Sequence, residues 1–188
     1  MSQGQAGREP VGQGQAGREP VGQGQAGREP VSQGLAGGGL RVVCLTALGD
    51  PLLAGAAALF DEYRQHYGAN PAPEAVTSWM RELVLSGKGR IYAAGRGDRA
   101  IGICSTAVVP AALTLRTVWL VRDLYVAPDM RRHGVARALL THVADDARAA
   151  GAHRLSLRTE TANTQAIALY ARNGFDLLSD VAVMERLL

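Results

Sequence analysis

The stretch Asp123-Leu-Tyr-Val-Ala-Pro-Asp-Met-Arg-Arg-His-Gly-Val-Ala-Arg-Ala-Leu-Leu140 decides how this chain is read. Its first residues complete an apolar run, and Thr117–Val126 reads as a strand that Pro128 cannot continue, because proline has no N–H to give a ladder. Beyond the loop, Val135, Leu139, Val143 and Ala147 share one helical face, so Val135–Ala150 reads as a helix. A helix start presents unpaired N–H groups and the positive end of the helix dipole. That is an anion site, and it suits a pyrophosphate. Gly134 and Ala136 carry no bulk to hold phosphate oxygens off the backbone, and Arg131 and Arg132 add charge-assisted bonds. His133 is read as contributing its backbone N–H, not its ring. No Gly-Lys-Ser/Thr follows, so the loop is not a Walker A.

Working outward, Arg41–Leu45 is a predicted first strand, and Asp50-Pro51 a helix start with Asp50 as cap and Pro51 in the first helical position. Leu53, Ala56, Leu59, Phe60 and Tyr63 then recur at helical spacing. Pro73 opens a second helix with Val76, Trp79, Met80, Leu83 and Val84 as its stripe. Ile91–Ala94 and Ile101–Val109 are predicted strands. The Arg96-Gly97-Asp98 triplet lies in the hairpin turn between them, so it is read as a turn and not as an adhesion signal. Arg154–Thr159 is a strand and Asn163–Arg172 a helix closed by Gly174. Phe175–Leu178 and Val181–Leu187 read as two closing strands. The fold class that follows is α/β, a mixed sheet with helices on both faces.

Arg131-x-x-Gly134-x-Ala136, placed between that strand and that helix, resembles the Arg/Gln-x-x-Gly-x-Gly/Ala signature of the GNAT superfamily of N-acetyltransferases. Downstream, Leu155-Ser-Leu-Arg-Thr-Glu-Thr-Ala-Asn163, Ala166, Leu169-Tyr170 and Asn173-Gly174-Phe175 resemble the next motif of the same superfamily. The end of the first helix, Phe60-Asp-Glu-Tyr63-Arg64-x-x-Tyr67-Gly68, is similar to its histone- and polyamine-acetyltransferase-like subgroup. The resemblance covers Arg41 to Leu188. It implies the GNAT fold, a mostly antiparallel central sheet splayed open at the cofactor site, with acetyl-CoA as co-substrate and no metal.

The resemblance also implies roles. Residues Arg131, Arg132, His133, Gly134, Val135 and Ala136 would hold the pyrophosphate. Leu124, Tyr125 and Val126 lie where the pantetheine arm would run, with backbone groups of Leu124 and Val126 pairing to it. Asn163 either bonds that arm or caps its own helix. Tyr170 matches the tyrosine beside the CoA sulfur, a general acid; its alternative is a core tyrosine. Asp123 is either the base, or the carboxylate that binds the cationic amine, or a structural carboxylate. An amine with a pKa of about 10 is mostly protonated at neutral pH and must lose a proton before it attacks. The acid common beside this position in the family is Arg122 here, and strict alternation would put Arg122 and Asp123 on opposite faces.

Composition narrows the rest. The net charge of +3 is small, Lys88 is the one lysine, and the arginines are scattered, so no nucleic-acid partner is expected. Cys44 and Cys104 each sit in an apolar strand and read as buried free thiols. No signal-peptide core and no membrane-length apolar run occurs, which points to the cytoplasm and away from membranes. Residues 2–11, 12–21 and 22–31 repeat the unit GQGQAGREPV, the first copy starting with Ser2, and SQGLAGG follows. With one valine per unit the repeat cannot bury enough surface to order itself, so residues 1–39 are read as a disordered tail before a catalytic domain at 40–188. Gly12, Gly14 and Gly17 fit GxGxxG only because the repeat does, with no strand before them and no helix after. The expected partner is a small-molecule amine acceptor, with a homodimer allowed. The alternatives are a protein or peptide acceptor, or a non-catalytic acyl-CoA-binding module.

Overall fold

The computed structural model describes residues 39–87 and 89–186. The repeat, with its expected disorder, lies outside the described residues. The elements run β1 (Arg41–Cys44), α1 (Leu53–His66), α2 (Pro73–Ser86), β2 (Gly89–Arg96), β3 (Arg99–Ala111), β4 (Arg116–Val126), a 3-10 turn at Pro128–Met130, α3 (Val135–Ala149), β5 (Arg154–Leu157) and α4 (Thr164–Arg172). The five strands form one sheet in chain order. β1 to β4 pair antiparallel and β5 joins β4 in parallel, after the crossover through α3.

Both faces of this sheet are covered. Ile91, Ala93 and Ile103 pack with Leu53, Ala56, Phe60 and Met80 from α1 and α2. Tyr92, Ala94, Ile101 and Cys104 pack on the other face with Val135, Leu139 and Val143 of α3. This double burial explains why β2 reads as a nearly unbroken apolar run rather than an alternating one. Gly102 permits the closest approach. A Cβ there would lie 2.7 Å from Val135 Cγ1 and 3.3 Å from the Tyr125 carbonyl oxygen. The missing side chain therefore seats the first turn of α3 directly against the sheet beside Val126, with which Gly102 pairs.

Three local expectations are corrected. Helix α1 starts at Leu53, two residues later than Pro51; Asp50 instead caps a separate turn, its Oδ1 accepting from the Leu52 N–H at 2.8 Å. Residues 175–186 form no strand, although two closing strands were expected. Leu177, Leu178, Val181, Val183 and Met184 remain exposed there, and the contact to the β5 side is a side-chain bond, Arg158 to Glu185 at 3.3 Å. Alternation of apolar residues does not make a strand without a backbone ladder to join.

The third correction concerns β4. Ser105 of β3 pairs with Asp123, but Thr106 pairs with Val121, so Arg122 is the extra residue of a β-bulge. The bulge resets the parity of the strand. Trp119 and Val121 face α3, and so do Leu124 and Val126, whereas Tyr125 faces α1. Counting inward from either side puts Arg122 and Asp123 on the same face, that of α1 and α2, instead of on opposite faces.

Replacing Gly102 with Ala forces Val135 and Leu139 to move. We expect a loss of about 1–3 kcal/mol of unfolding free energy in urea titrations, the usual cost of overpacking.

Candidate active site

The bulge falls where β5 stops. β5 pairs with β4 only from Val118–Arg154 to Val121–Leu157. Beyond Val121 the ladder has no further partner, because β5 ends at Leu157. The edge of β4 from Asp123 to Val126 is then free of a neighbouring strand on the β5 side. Ala127 donates to Ile101 at 3.0 Å across the β3 side, so by antiparallel alternation the N–H and C=O groups of Leu124 and Val126 point to the free edge. These are the groups read from the sequence as pairing positions for an extended amide arm. The Leu124 and Val126 side chains pack toward α3. Tyr125 turns the other way, and its ring stands 5.9 Å from that of Tyr63 and 6.4 Å from His66.

The loop after β4 is shaped by two left-handed residues, Arg132 at φ 65° and Gly134 at φ 79°. Gly134 is the N-cap position of α3 and no side chain caps the helix. The first N–H to be satisfied along the helix is that of Ala138, bonded to the Gly134 carbonyl at 2.9 Å. The N–H groups of Val135, Ala136 and Arg137 are the helix's unpaired donors. A Cβ on Gly134 would meet nothing within 4 Å, so the approach to these donors is open. The His133 ring has a use that the sequence reading missed: its Nδ1 lies 2.8 Å from the Arg131 carbonyl oxygen and braces the loop. Arg131 reaches back to β4, its Nε donating to the Val126 carbonyl at 3.2 Å and its guanidinium 5.6 Å from the Tyr125 ring centroid. Arg132 is exposed.

Asp123 is half-buried under α1. One oxygen accepts from the Ser105 hydroxyl, and the Tyr63 phenol lies near the same carboxylate. Burial, and after it the Asp123 charge, raises the Tyr63 pKa well above the ordinary phenol range, so Tyr63 stays a donor. Tyr63 also meets Tyr67 edge-on at 5.1 Å. Tyr63, beside Asp123, belongs to an aromatic cluster with Tyr67, His66 and Tyr125.

Tyr170 lies on α4, where a Schellman turn sets its position. The Gly174 N–H bonds the Ala171 carbonyl at 3.1 Å, the Phe175 N–H bonds the Tyr170 carbonyl at 3.1 Å, and Gly174 has φ 82°. The Phe175 ring packs edge-on to Tyr170 at 5.9 Å. The Tyr170 phenol is shifted above its usual 10.0, by burial first and then by Cys104, Tyr67 and Glu160. Cys104 is itself pushed up by burial and then by the Asp123 charge. Asn163 does cap α4, its Oδ1 accepting from the Ala166 N–H at 3.1 Å.

The sequence thus named Asp123, Tyr170 and the loop, and the fold brings their elements to one end of the sheet. It did not reveal Ser105 or the link from Tyr63 to Asp123. Ser105 becomes visible only through strand register, although the i, i+4 pair Tyr63 and Tyr67 on α1 hinted at the aromatic cluster. Among the described residues no group of three or more His, Cys, Asp or Glu side chains could hold a metal ion, and no helix is long and apolar enough to cross a membrane.

Truncating the cap, Asn163→Ala, should cost about 1 kcal/mol of stability in urea unfolding, and Asn163→Asp, which keeps an acceptor, should recover it.

Comparison with known proteins agrees with this fold. A family model described as the acetyltransferase (GNAT) family matches residues 56–175. The chain is 27% identical over 123 residues to the uncharacterized N-acetyltransferase YhfO of Bacillus subtilis, covering 65% of this chain and 83% of that protein. It is 30% identical over 98 residues to the [ribosomal protein bS18]-alanine N-acetyltransferase of Escherichia coli K12, covering 52% of this chain and 64% of that enzyme. Among solved structures, a probable acetyltransferase superposes with a TM-score of 0.73 at 30% identity, over 79% of this chain and 97% of that one. The chain is a member of the acetyltransferase (GNAT) family, a GNAT-type N-acetyltransferase.

Proposed function

We propose that the protein transfers an acetyl group from acetyl-CoA to the primary amine of a small cationic molecule, by direct attack with both substrates bound. The observation that carries this reading is the meeting of the free β4 edge, the uncapped α3 N-terminus and a carboxylate beside an aromatic cluster at one end of the sheet. The donors of Val135, Ala136 and Arg137 fit a pyrophosphate, and the backbone of Leu124 and Val126 fits an extended amide arm. Arg131 would exchange its bond to Val126 for a phosphate oxygen, leaving that carbonyl to the arm.

Acetyl-CoA supplies an activated thioester carbonyl. Asp123 attracts the ammonium of the acceptor and takes its proton, directly or through a water, leaving the nitrogen lone pair free. The C–N bond forms as the C–S bond breaks. Tyr170 gives its phenolic proton to the departing sulfur, and the phenolate regains a proton from solvent. The aromatic cluster favours a cationic acceptor through the negative faces of its rings. The free thiols Cys44 and Cys104 suit a reducing cytoplasm. A peptide N-terminus is the second acceptor to test, because the Escherichia coli relative acts on a ribosomal-protein alanine.

The test is free-thiol release from acetyl-CoA across polyamines, aminoglycosides, amino acids and short peptides. Turnover on small cationic amines supports the proposal; turnover confined to peptides overturns its acceptor class. Tyr170→Phe should lower kcat by roughly 100-fold or more with acetyl-CoA affinity unchanged by calorimetry. Because the wild-type phenol titrates above 10.0, its ionisation should give no falling limb in kcat below about pH 10. Gly134→Glu should instead weaken acetyl-CoA binding, since it places a carboxylate before the helix donors and a side chain at φ 79°.

A further inference from the structure

Asp123 follows the extra residue of a bulge, so the regular pleat of the strand does not fix its carboxylate. Two side chains from other elements do. Ser105 lies directly opposite on β3, only 3% exposed, and its hydroxyl bonds one carboxylate oxygen. Tyr63 comes from α1, and its phenol stands close enough to the same group to feel its charge. The Tyr63 ring is itself held between Tyr67, at 5.1 Å, and Tyr125, at 5.9 Å. Strand, neighbouring strand and helix thus converge on a single carboxylate.

We propose that Tyr63 and Ser105 are positioning residues that clamp Asp123 in the one orientation that faces the acceptor amine. The inference rests on the reading of Asp123 as the group that receives the amine proton. An ionised carboxylate offers about four lone-pair sites. The Ser105 hydroxyl occupies part of that capacity from the protein side, the Tyr63 phenol crowds the carboxylate from α1, and the remainder is left for the acceptor. Burial keeps the Tyr63 phenol protonated, so the clamp holds through the working pH range and Tyr63 does not compete with Asp123 for the proton. Tyr63 also links the base to the aromatic cluster, since the same ring touches Tyr67 and Tyr125. Without the clamp the carboxylate rotates, and small errors in alignment are costly to a direct attack.

The experiment uses the full chain, with Tyr63→Phe, Ser105→Ala, Asp123→Asn and the double variant Tyr63→Phe/Asp123→Asn. The acceptor is whichever amine gives turnover in the thiol-release panel. Each clamp variant should lower kcat by roughly ten-fold or more. The calorimetric affinity for acetyl-CoA and the thermal midpoint should stay at wild-type values. Adding Tyr63→Phe to Asp123→Asn should cost nothing further, because the group being clamped is already gone. A readout independent of turnover is the Tyr63 Cζ signal in carbon-13 NMR of tyrosine-labelled protein, which should move in Asp123→Asn. Full kcat in both clamp variants, alongside a crippled Asp123→Asn, overturns the clamp and leaves the base in place. Full kcat in Asp123→Asn removes the base and the clamp together. Additive losses in the double variant, or an unmoved Tyr63 signal, also overturn the clamp.

Discussion

Every chemical feature of this protein follows from the parting of β4 and β5 after Val121. Up to that residue the two strands share a ladder. At the next residue, Arg122, the register slips by one on the β3 side. A bulge bends its strand and adds twist, and β5 ends at Leu157, so the far end of β4 keeps backbone with no strand beside it. An open edge in a sheet interior carries unsatisfied donors and acceptors, which is costly unless something lies along it. Arg131 covers part of it here by bonding the Val126 carbonyl. A substrate arm that runs as an extended amide would cover it more completely.

The parting would be chemically useless without the seating of α3. Gly102 has no side chain, so Val135 presses onto the sheet beside Val126. The uncapped donors of the helix therefore start within one short loop of the open edge. Arg132 and Gly134 turn that loop with positive φ, and the His133 ring braces it through the Arg131 carbonyl. The result is a strip of backbone donors and acceptors whose form depends on the chain's path more than on side-chain identity. Such a strip explains why the cofactor side of the molecule is recognisable from a few residues. On the α1 face Tyr63, His66, Tyr67 and Tyr125 form an aromatic cluster, and its arrangement depends on how α1 packs over β4.

The same division marks how far the sequence could be read. The loop and its helix were legible because Gly134, the proline break at Pro128 and the helical spacing from Val135 are local signals. The Schellman stop of α4 was legible at Gly174 for the same reason. The two closing strands were misread because Val181, Val183 and their neighbours alternate as a strand would, and alternation says nothing about whether a partner backbone is within reach. The opposite-face reading of Arg122 and Asp123 failed because a bulge leaves no local mark in the residues that form it.

The sequence by itself determined the order of the elements as far as α4 and the helix start at Gly134, and it named Asp123 and Tyr170 as candidates for proton transfer. Each of these depends on residue type and on spacing within a dozen residues. The tertiary structure alone decided which side Asp123 faces, that Ser105 and Tyr63 reach it, and that Tyr170 shares its surroundings with Cys104, Tyr67 and Glu160. These depend on strand register and on the packing of α1 over β4. Register is a property of pairs of strands, and a one-residue slip at Arg122 reassigns faces that no single strand can specify for itself.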